Sequence, residues 1–166
     1  MLRWQRAIDG FSKGIASLTA VLMLLMLVNI FYDVVMRYFF RSSSIGMQEL
    51  EWHLFSAMFL LGIASTLQAE GHVRVDIIYD KLSRRKKAWI DSLGVLLLLL
   101  PFCGLMVWYG YDFALESYHL GEISGDPGGL AYRWLIKAMI PISALCVALS
   151  GLGMLLKNLI QLRNQH

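Results

Sequence analysis

Four long runs of apolar residues alternate with short polar stretches along the chain. The uncharged runs extend over Gly14 to Tyr32, Trp52 to Ala69, Ser92 to Tyr111 and Ala138 to Leu156. Each contains 18 to 20 residues, close to the roughly 20 that an α-helix needs to cross about 30 Å of hydrocarbon. The pattern predicts one membrane domain over residues 1–166, with transmembrane helices at about 14–36, 52–69, 90–111 and 135–156.

The composition agrees with that pattern. Of the 166 residues, 57% are apolar and only 16% are charged, which is far from the balance of a water-soluble domain. The first apolar run exceeds the roughly 7 to 15 residues of a signal peptide, and it ends in Asp33 to Arg37 rather than in a small-residue cleavage site. We therefore expect an uncleaved first helix and an all-α integral membrane protein.

The distribution of basic residues predicts the orientation. With the N-terminus in the cytoplasm, 11 Lys and Arg residues lie on the cytoplasmic side and 4 on the other, as the positive-inside rule requires. Glu70 to Lys87 reads as a short amphipathic cytoplasmic segment between helices 2 and 3. Both termini are thus expected in the cytoplasm, and the topology anchors are Arg84, Arg85, Lys86 and Lys87.

Local signals refine the helices. Asp33 and Arg37 are four residues apart and can pair on one helical face, and Arg41 to Gly46 predicts a turn. Pro101 is expected to kink the third helix. Small residues recur at helical spacing in the fourth helix, either as a packing stripe or as ordinary filler, at Ala144, Ala148 and Gly151.

Candidate chemistry is sparse. Axial haem ligation needs histidines deep in facing helices, whereas His53, His72 and His119 lie at span ends or in loops. Glu49 and His53 have the spacing of two metal ligands on one helical face, but no further ligand accompanies them. The uncharged runs lack the ionisable residue that a carrier keeps near the midplane. We therefore predict no catalytic residue, no cofactor and no metal.

Two segments carry a resemblance to a known family. QELEWHLFSAMFLLGIASTLQAEGHVRVDIIYD (48–80) and SGDPGGLAYRWLIKAMIPIS (124–143) resemble the small membrane, DctQ-like subunit of tripartite ATP-independent periplasmic (TRAP) transporters. The resemblance implies a multi-pass protein of the bacterial inner membrane that works with a large permease subunit and a periplasmic substrate-binding protein. It also implies uptake of an organic, carboxylate-type solute driven by a sodium gradient that the large subunit uses.

In that setting, this chain is expected to scaffold the large subunit, which moves in an elevator-like manner. The partner and assembly residues would be Glu49, Glu51, Trp52, His72, Arg74, Asp76 and Arg133. The alternative is that their charges only satisfy the ends of their own helices. The acidic loop after the third helix is a candidate docking surface for the binding protein, through Asp112, Glu116, Glu122 and Asp126.

Two other functions stay open from the residues alone. The first is a stand-alone four-helix carrier or channel that acts as a homo-oligomer, against which the missing midplane charge argues. The second is a membrane-bound redox subunit, which the positions of the histidines disfavour. Binding to nucleic acid is not expected, because the basic residues flank apolar spans instead of forming a polar face.

Overall fold

The chain folds as a bundle of long helices. The computed structural model describes residues 2–68 and 82–163, and this part of the chain is helical with no strand. The helices are α1 (Leu2–Phe39), α2 (Ile45–Gln68), α3 (Arg84–Gly94), a π-helical segment (Val95–Leu99), α4 (Leu100–His119) and α5 (Trp134–Arg163).

Four stretches of the described residues are long and apolar enough to cross a membrane. They are Gly10–Phe39, Ile45–Leu67, Arg85–His119 and Trp134–Ile160. The third of these runs through α3, the π-helical segment and α4 without a break. The prediction of an all-helical membrane protein with four spanning helices is confirmed, and the helices extend beyond the uncharged runs because their terminal turns carry the flanking polar residues.

The helices pack in the order α1, α2, α5, α4, so α2 and α5 occupy the middle of the bundle. Its small core includes Ile15, Leu61, Cys103 and Val147, one residue from each of these helices. Most large apolar side chains instead face outward, as Phe31 does with 71% of its surface exposed. Outward apolar surface is what a helix bundle presents to lipid or to another membrane helix.

Close approaches fix which segments share an end of the bundle. A Cβ atom on Gly46 would lie 3.1 Å from the carbonyl oxygen of Gly128, so the α1–α2 turn meets the α4–α5 loop. We call this the loop end. At the opposite end, a Cβ on Gly153 would lie 2.7 Å from Cγ2 of Ile8. The first turns of α1 and the last turns of α5 therefore lie side by side, and we call this the terminal end.

The π-helical segment lies directly before Pro101. The Leu100 N–H donates to the carbonyl of Val95, five residues earlier. Proline has no N–H to donate and its ring crowds the carbonyl four residues back. The widened turn before Pro101 relieves this crowding at the position where a kink was expected. Gly151 of α5 faces this region, because a Cβ at this position would lie 2.5 Å from Cδ2 of Leu99.

Candidate interaction site at the loop end

The α4–α5 loop, residues 120–133, is closed by its own backbone. The Gly129 N–H donates to the carbonyl of Asp126 at 3.0 Å, and Gly128 has a φ of 84°. Pro127 precedes a glycine with positive φ, which is the arrangement of a type II turn. The Ser124 N–H also donates to the carbonyl of Leu130 at 3.0 Å. The loop around Pro127 and Gly128 is thus closed by two backbone hydrogen bonds.

Glu49 connects this loop to α2. Its carboxylate accepts the backbone N–H of Leu130 at 2.6 Å and the hydroxyl of Ser124. Arg133 adds an attractive positive charge near the same carboxylate. Charge-assisted hydrogen bonds of this kind are stronger than those between neutral groups. Glu49 therefore holds the loop against the first turns of α2, and we call Glu49, Ser124 and Leu130 the loop clamp.

Gly129 makes the loop clamp possible. A Cβ on Gly129 would lie 2.8 Å from Oε2 of Glu49 and closer still to the hydroxyl of Ser124. No side chain fits there without moving both partners. Glycine is needed at this position for close approach rather than for an unusual backbone angle.

His53 does not join the Glu49 carboxylate. Its Nδ1 lies 2.7 Å from the backbone carbonyl oxygen of Glu49, and the Glu49 carboxylate is directed to the loop instead. The i, i+4 spacing of the two residues is therefore used for a side chain to backbone contact within α2. Among the residues that the structure describes, no group of three or more potential ligands could hold a metal ion.

Glu122 and Lys137 form a second link between the loop and α5. The Lys137 ammonium donates to the Glu122 carboxylate and also lies 4.1 Å from the centroid of the Phe113 ring. The side chains are 19% exposed for Lys137 and 31% for Glu122. The hydrogen bond from Lys137 lowers the pKa of Glu122 from its ordinary value. This ion pair and the cation–π contact connect the loop, α4 and α5.

Polar residues also join α1 and α2 near the loop end. The Asn29 side-chain amide donates to the carbonyl of Met47 at 2.9 Å, and Asn29 is only 5% exposed. The predicted pair of Asp33 and Arg37 is formed, with Asp33 buried and Arg37 half-exposed. Asn29 was missed by the sequence reasoning, although an asparagine inside an apolar run is itself a signal of an interhelical hydrogen bond.

The predicted assembly residues that the structure describes do not form one cluster. Arg133 places its positive charge near the Glu49 carboxylate, whereas Glu51 is half-buried and Trp52 is 72% exposed on other faces of α2. His72, Arg74 and Asp76 lie outside the described residues. The loop-clamp partners Ser124 and Leu130 gave no signal in the sequence, because hydrogen bonds to a carboxylate 75 and 81 positions away depend on how the helices pack.

The predicted docking and anchor residues differ in how exposed their side chains are. Asp112, Glu116 and Asp126 are exposed, while Glu122 is occupied by Lys137. At the start of α3, Arg85 and Lys86 are exposed and Lys87 is half-buried. Arg84 begins α3, but its side chain lies outside the described part. Three carboxylates thus remain on the surface around the loop end.

These features define a multi-pass helical membrane protein with apolar spans and with its polar contacts concentrated at one end. Residues 25–161 match the family model for the DctQ component of tripartite ATP-independent periplasmic transporters. The chain belongs to the DctQ family, as the resemblance in its sequence indicated. It is 27% identical over 139 residues to a Haemophilus influenzae protein whose assigned name is that of a TRAP transporter small permease protein. That alignment covers 82% of this chain and 84% of the relative.

Proposed function

We propose that this chain is the small permease subunit of a TRAP transporter and acts as a static scaffold for a large permease subunit. The observation that supports this most directly is the loop clamp, which joins α2 to the α4–α5 loop while long apolar faces stay exposed. A scaffold needs a fixed shape and a large apolar surface. A carrier would need an ionisable residue near the middle of its spans, whereas the Asp33–Arg37 pair lies near the loop end of α1.

The proposed setting is the bacterial inner membrane with both termini in the cytoplasm. The loop end then faces the periplasm, and the exposed Arg85 and Lys86 lie on the cytoplasmic side. The large subunit would use the sodium gradient and carry an organic, carboxylate-type solute delivered by a binding protein. The orientation rests on the distribution of basic residues, and the partner, the ion and the solute are proposed from the family resemblance.

Copurification tests the scaffold role. The tagged subunit is extracted from its native membrane in mild detergent, and the copurifying proteins are identified and quantified. We expect a large polytopic permease in a roughly one-to-one ratio. Recovery of this chain alone as a stable homo-oligomer that transports solute in liposomes would contradict the proposal and identify a stand-alone carrier.

A variant pair then connects the loop clamp with assembly. Glu49→Ala removes the acceptor of the Leu130 and Ser124 hydrogen bonds. Glu51→Ala removes the other glutamate of α2, two positions away, and leaves the loop clamp intact. We expect Glu49→Ala to lower both the yield of the complex and the uptake of solute, and to do so more than Glu51→Ala. Equal yields for the two variants would show that the loop clamp is not needed for assembly.

The basic residues of α3 are proposed to anchor the cytoplasmic side. Replacing Arg85 and Lys86 together by glutamate is expected to reduce correct insertion, because it removes two of the basic residues whose excess on the cytoplasmic side sets the orientation. Replacing Arg85 by Lys and Lys86 by Arg keeps the charge and serves as the control. Labelling of single cysteines from either side of the membrane reads the topology. Unchanged labelling and complex yield in the glutamate variant would remove the anchor role.

The exposed carboxylates Asp112, Glu116 and Asp126 are proposed to dock the binding protein. Glu122 is left out because Lys137 already neutralises it. Replacing the three residues by Asn, Gln and Asn should slow association at low salt, since surface charge governs association rate more than affinity. Association rates are measured with the assembled complex in lipid nanodiscs at two salt concentrations. A rate equal to wild type at low salt would exclude this surface.

A further inference from the structure

One face of α3 points away from the bundle, and its chemistry changes in order along the helix. Arg85 and Lys86, in the first turn, are exposed. Trp89 is exposed one turn after Arg85, and Leu93 is exposed one turn after that. Charge, aromatic ring and hydrocarbon therefore follow one another within about 12 Å of helix, at roughly 1.5 Å per residue. We call Arg85, Lys86, Trp89 and Leu93 the basic stripe.

The opposite face of α3 packs into the bundle. Ala88 and Ser92 are buried, and a Cβ on Gly151 of α5 would lie 3.5 Å from Cγ1 of Val95, directly after α3. The acidic residue of α3, Asp91, is half-buried and does not belong to the stripe. The basic stripe is thus a face of α3 that the described part of the chain leaves uncovered.

The spacing of two tryptophans sets the depth of the basic stripe in the membrane. Trp89 and Trp108 are both exposed and are 19 positions apart, which corresponds to about 29 Å along the continuous helix. The hydrocarbon core is roughly 30 Å thick, and exposed tryptophans collect at its two boundaries. Arg85 then lies about 6 Å beyond the hydrocarbon. This is the depth of the headgroups, which add about 5 to 8 Å on each side.

This order of side chains selects a ligand with an anionic head and an apolar tail. A group in contact with Arg85 and Lys86 is attracted if it is negative, and the part attached to it has to run along Trp89 and Leu93 within the hydrocarbon. A zwitterionic headgroup gains less, because it brings an ammonium to the same two cations. An acidic protein segment at the membrane surface would supply the charge but leave Leu93 uncovered. An anionic phospholipid has both parts at the required depths.

We propose that the basic stripe binds an anionic phospholipid of the leaflet at the terminal end, with its phosphate at Arg85 and Lys86 and an acyl chain along Trp89 and Leu93. Phosphatidylglycerol is held in preference to phosphatidylethanolamine of the same acyl chains. The proposal rests on the membrane-spanning fold and needs no large subunit. It also goes beyond the orientation role of these basic residues, because orientation depends on an excess of charge on one side and binding depends on particular side chains.

Native mass spectrometry of the subunit, purified in mild detergent with its copurifying partners, tests the basic stripe. Lys86→Gln is compared with Lys13→Gln, which removes an exposed lysine of α1. Wild type and Lys13→Gln are expected to retain phosphatidylglycerol in preference to phosphatidylethanolamine. Lys86→Gln should retain about fivefold less phosphatidylglycerol, the usual contribution of one basic residue near an anionic surface. Equal retention by the two lysine variants would overturn the proposal. Because the protein has been extracted, this result is separate from the labelling that reads its orientation.

A charge-conserving exchange separates recognition of charge from disturbance of α3. Replacing both Arg85 and Lys86 by Gln should abolish the headgroup preference, whereas Arg85→Lys combined with Lys86→Arg should keep it. Loss of the preference in both double variants would contradict recognition by charge. Glycerol 3-phosphate, which has the phosphate without acyl chains, is added as a competitor and should not displace the lipid. Displacement at equal concentration would identify a phosphate site and overturn the assignment to a lipid.

Photocrosslinking of the wild-type complex in lipid nanodiscs gives a readout that does not depend on any variant folding. The probes are phosphatidylglycerol and phosphatidylethanolamine with a diazirine on one acyl chain. Labelling of Trp89 and Leu93 should be several times stronger with the phosphatidylglycerol probe. Leu24 and Leu25, exposed on α1, report general contact with lipid and should be labelled equally by both probes. Equal labelling of the basic stripe by the two probes would contradict the proposal, as would protein–protein crosslinks that occupy Leu93 in place of lipid.

Discussion

The Glu49 carboxylate accepts the backbone N–H of Leu130 at 2.6 Å, although the two residues are 81 positions apart in the chain. The contact joins the first turns of α2 to the loop that precedes α5. A backbone N–H in this loop would otherwise have to find water or remain without a partner. Glu49 therefore connects the two halves of the sequence at the loop end, next to the close approach of Gly46 and Gly128.

The first prediction concerns stability when this contact is lost. Glu49→Ala removes the acceptor for both Leu130 and Ser124, and we expect the midpoint of thermal unfolding in detergent to fall by about 4 °C or more. Hydrogen exchange at residues 122–133 should become faster at the same time. Glu51→Ala is the control, and a loop with unchanged exchange in Glu49→Ala would contradict the role of the loop clamp.

The second prediction concerns the close packing of Gly129 against Glu49. Gly129→Ala places a Cβ 2.8 Å from the Glu49 carboxylate, so either the loop or the side chain has to move. We expect a loss of about 1 to 3 kcal/mol in unfolding free energy, typical of overpacking. Gly125→Ala is a matched control in the same loop, because nothing lies within 4 Å of its added Cβ. Equal stability of the two variants would mean that the loop adapts freely.

The helices of this protein can be predicted directly from its sequence, because an apolar run long enough to span a bilayer is expected to form a helix there. Backbone groups in hydrocarbon must be bonded within the segment, and this requirement predicts all four spanning helices. The turn at Arg41 to Gly46 was also predicted, and α1 ends at Phe39 before α2 begins at Ile45. Local chemistry was sufficient for these features.

The loop clamp could not be predicted from a local sequence pattern, because Glu49 lies far along the chain from Ser124 and Leu130. Glu49 was recognised as a candidate, but its acceptance of hydrogen bonds from Ser124 and Leu130 depends on α2 lying beside α5. The same holds for Glu122, which was expected on an open acidic surface and is instead paired with Lys137. Long-range packing decides which carboxylates remain exposed, and no local periodicity encodes that choice.

The third prediction is a pH dependence of stability. The Lys137 hydrogen bond lowers the pKa of Glu122 in the folded protein, so the ion pair stabilises the fold above the pKa of the unfolded chain, about 4.3. That contribution is lost as the pH falls through the lower, folded pKa.

We therefore expect the stability difference between wild type and Glu122→Gln to be constant near neutral pH and to shrink below about pH 4.3. Thermal unfolding in detergent across that range measures the difference. Glu116→Gln, at an exposed position of α4, controls for the loss of one surface carboxylate. A difference that grows on acidification would have the wrong sign for this ion pair.

The fourth prediction compares two glycines on α4 and expects opposite outcomes. A Cβ on Gly110 would lie 3.1 Å from Cδ and 3.3 Å from the backbone nitrogen of Pro141, and a proline inside α5 has little freedom to move. Gly110→Ala should therefore separate α4 from α5 and cost about 1 to 3 kcal/mol in unfolding free energy. Gly104 lies six residues earlier with nothing within 4 Å of an added Cβ. Gly104→Ala should be neutral or stabilising by up to about 1 kcal/mol, because alanine is the better helix former. Thermal or denaturant unfolding in detergent measures the stability of both variants. If Gly104→Ala destabilises the protein as much as Gly110→Ala, the contact between α4 and α5 is not the reason for glycine at position 110.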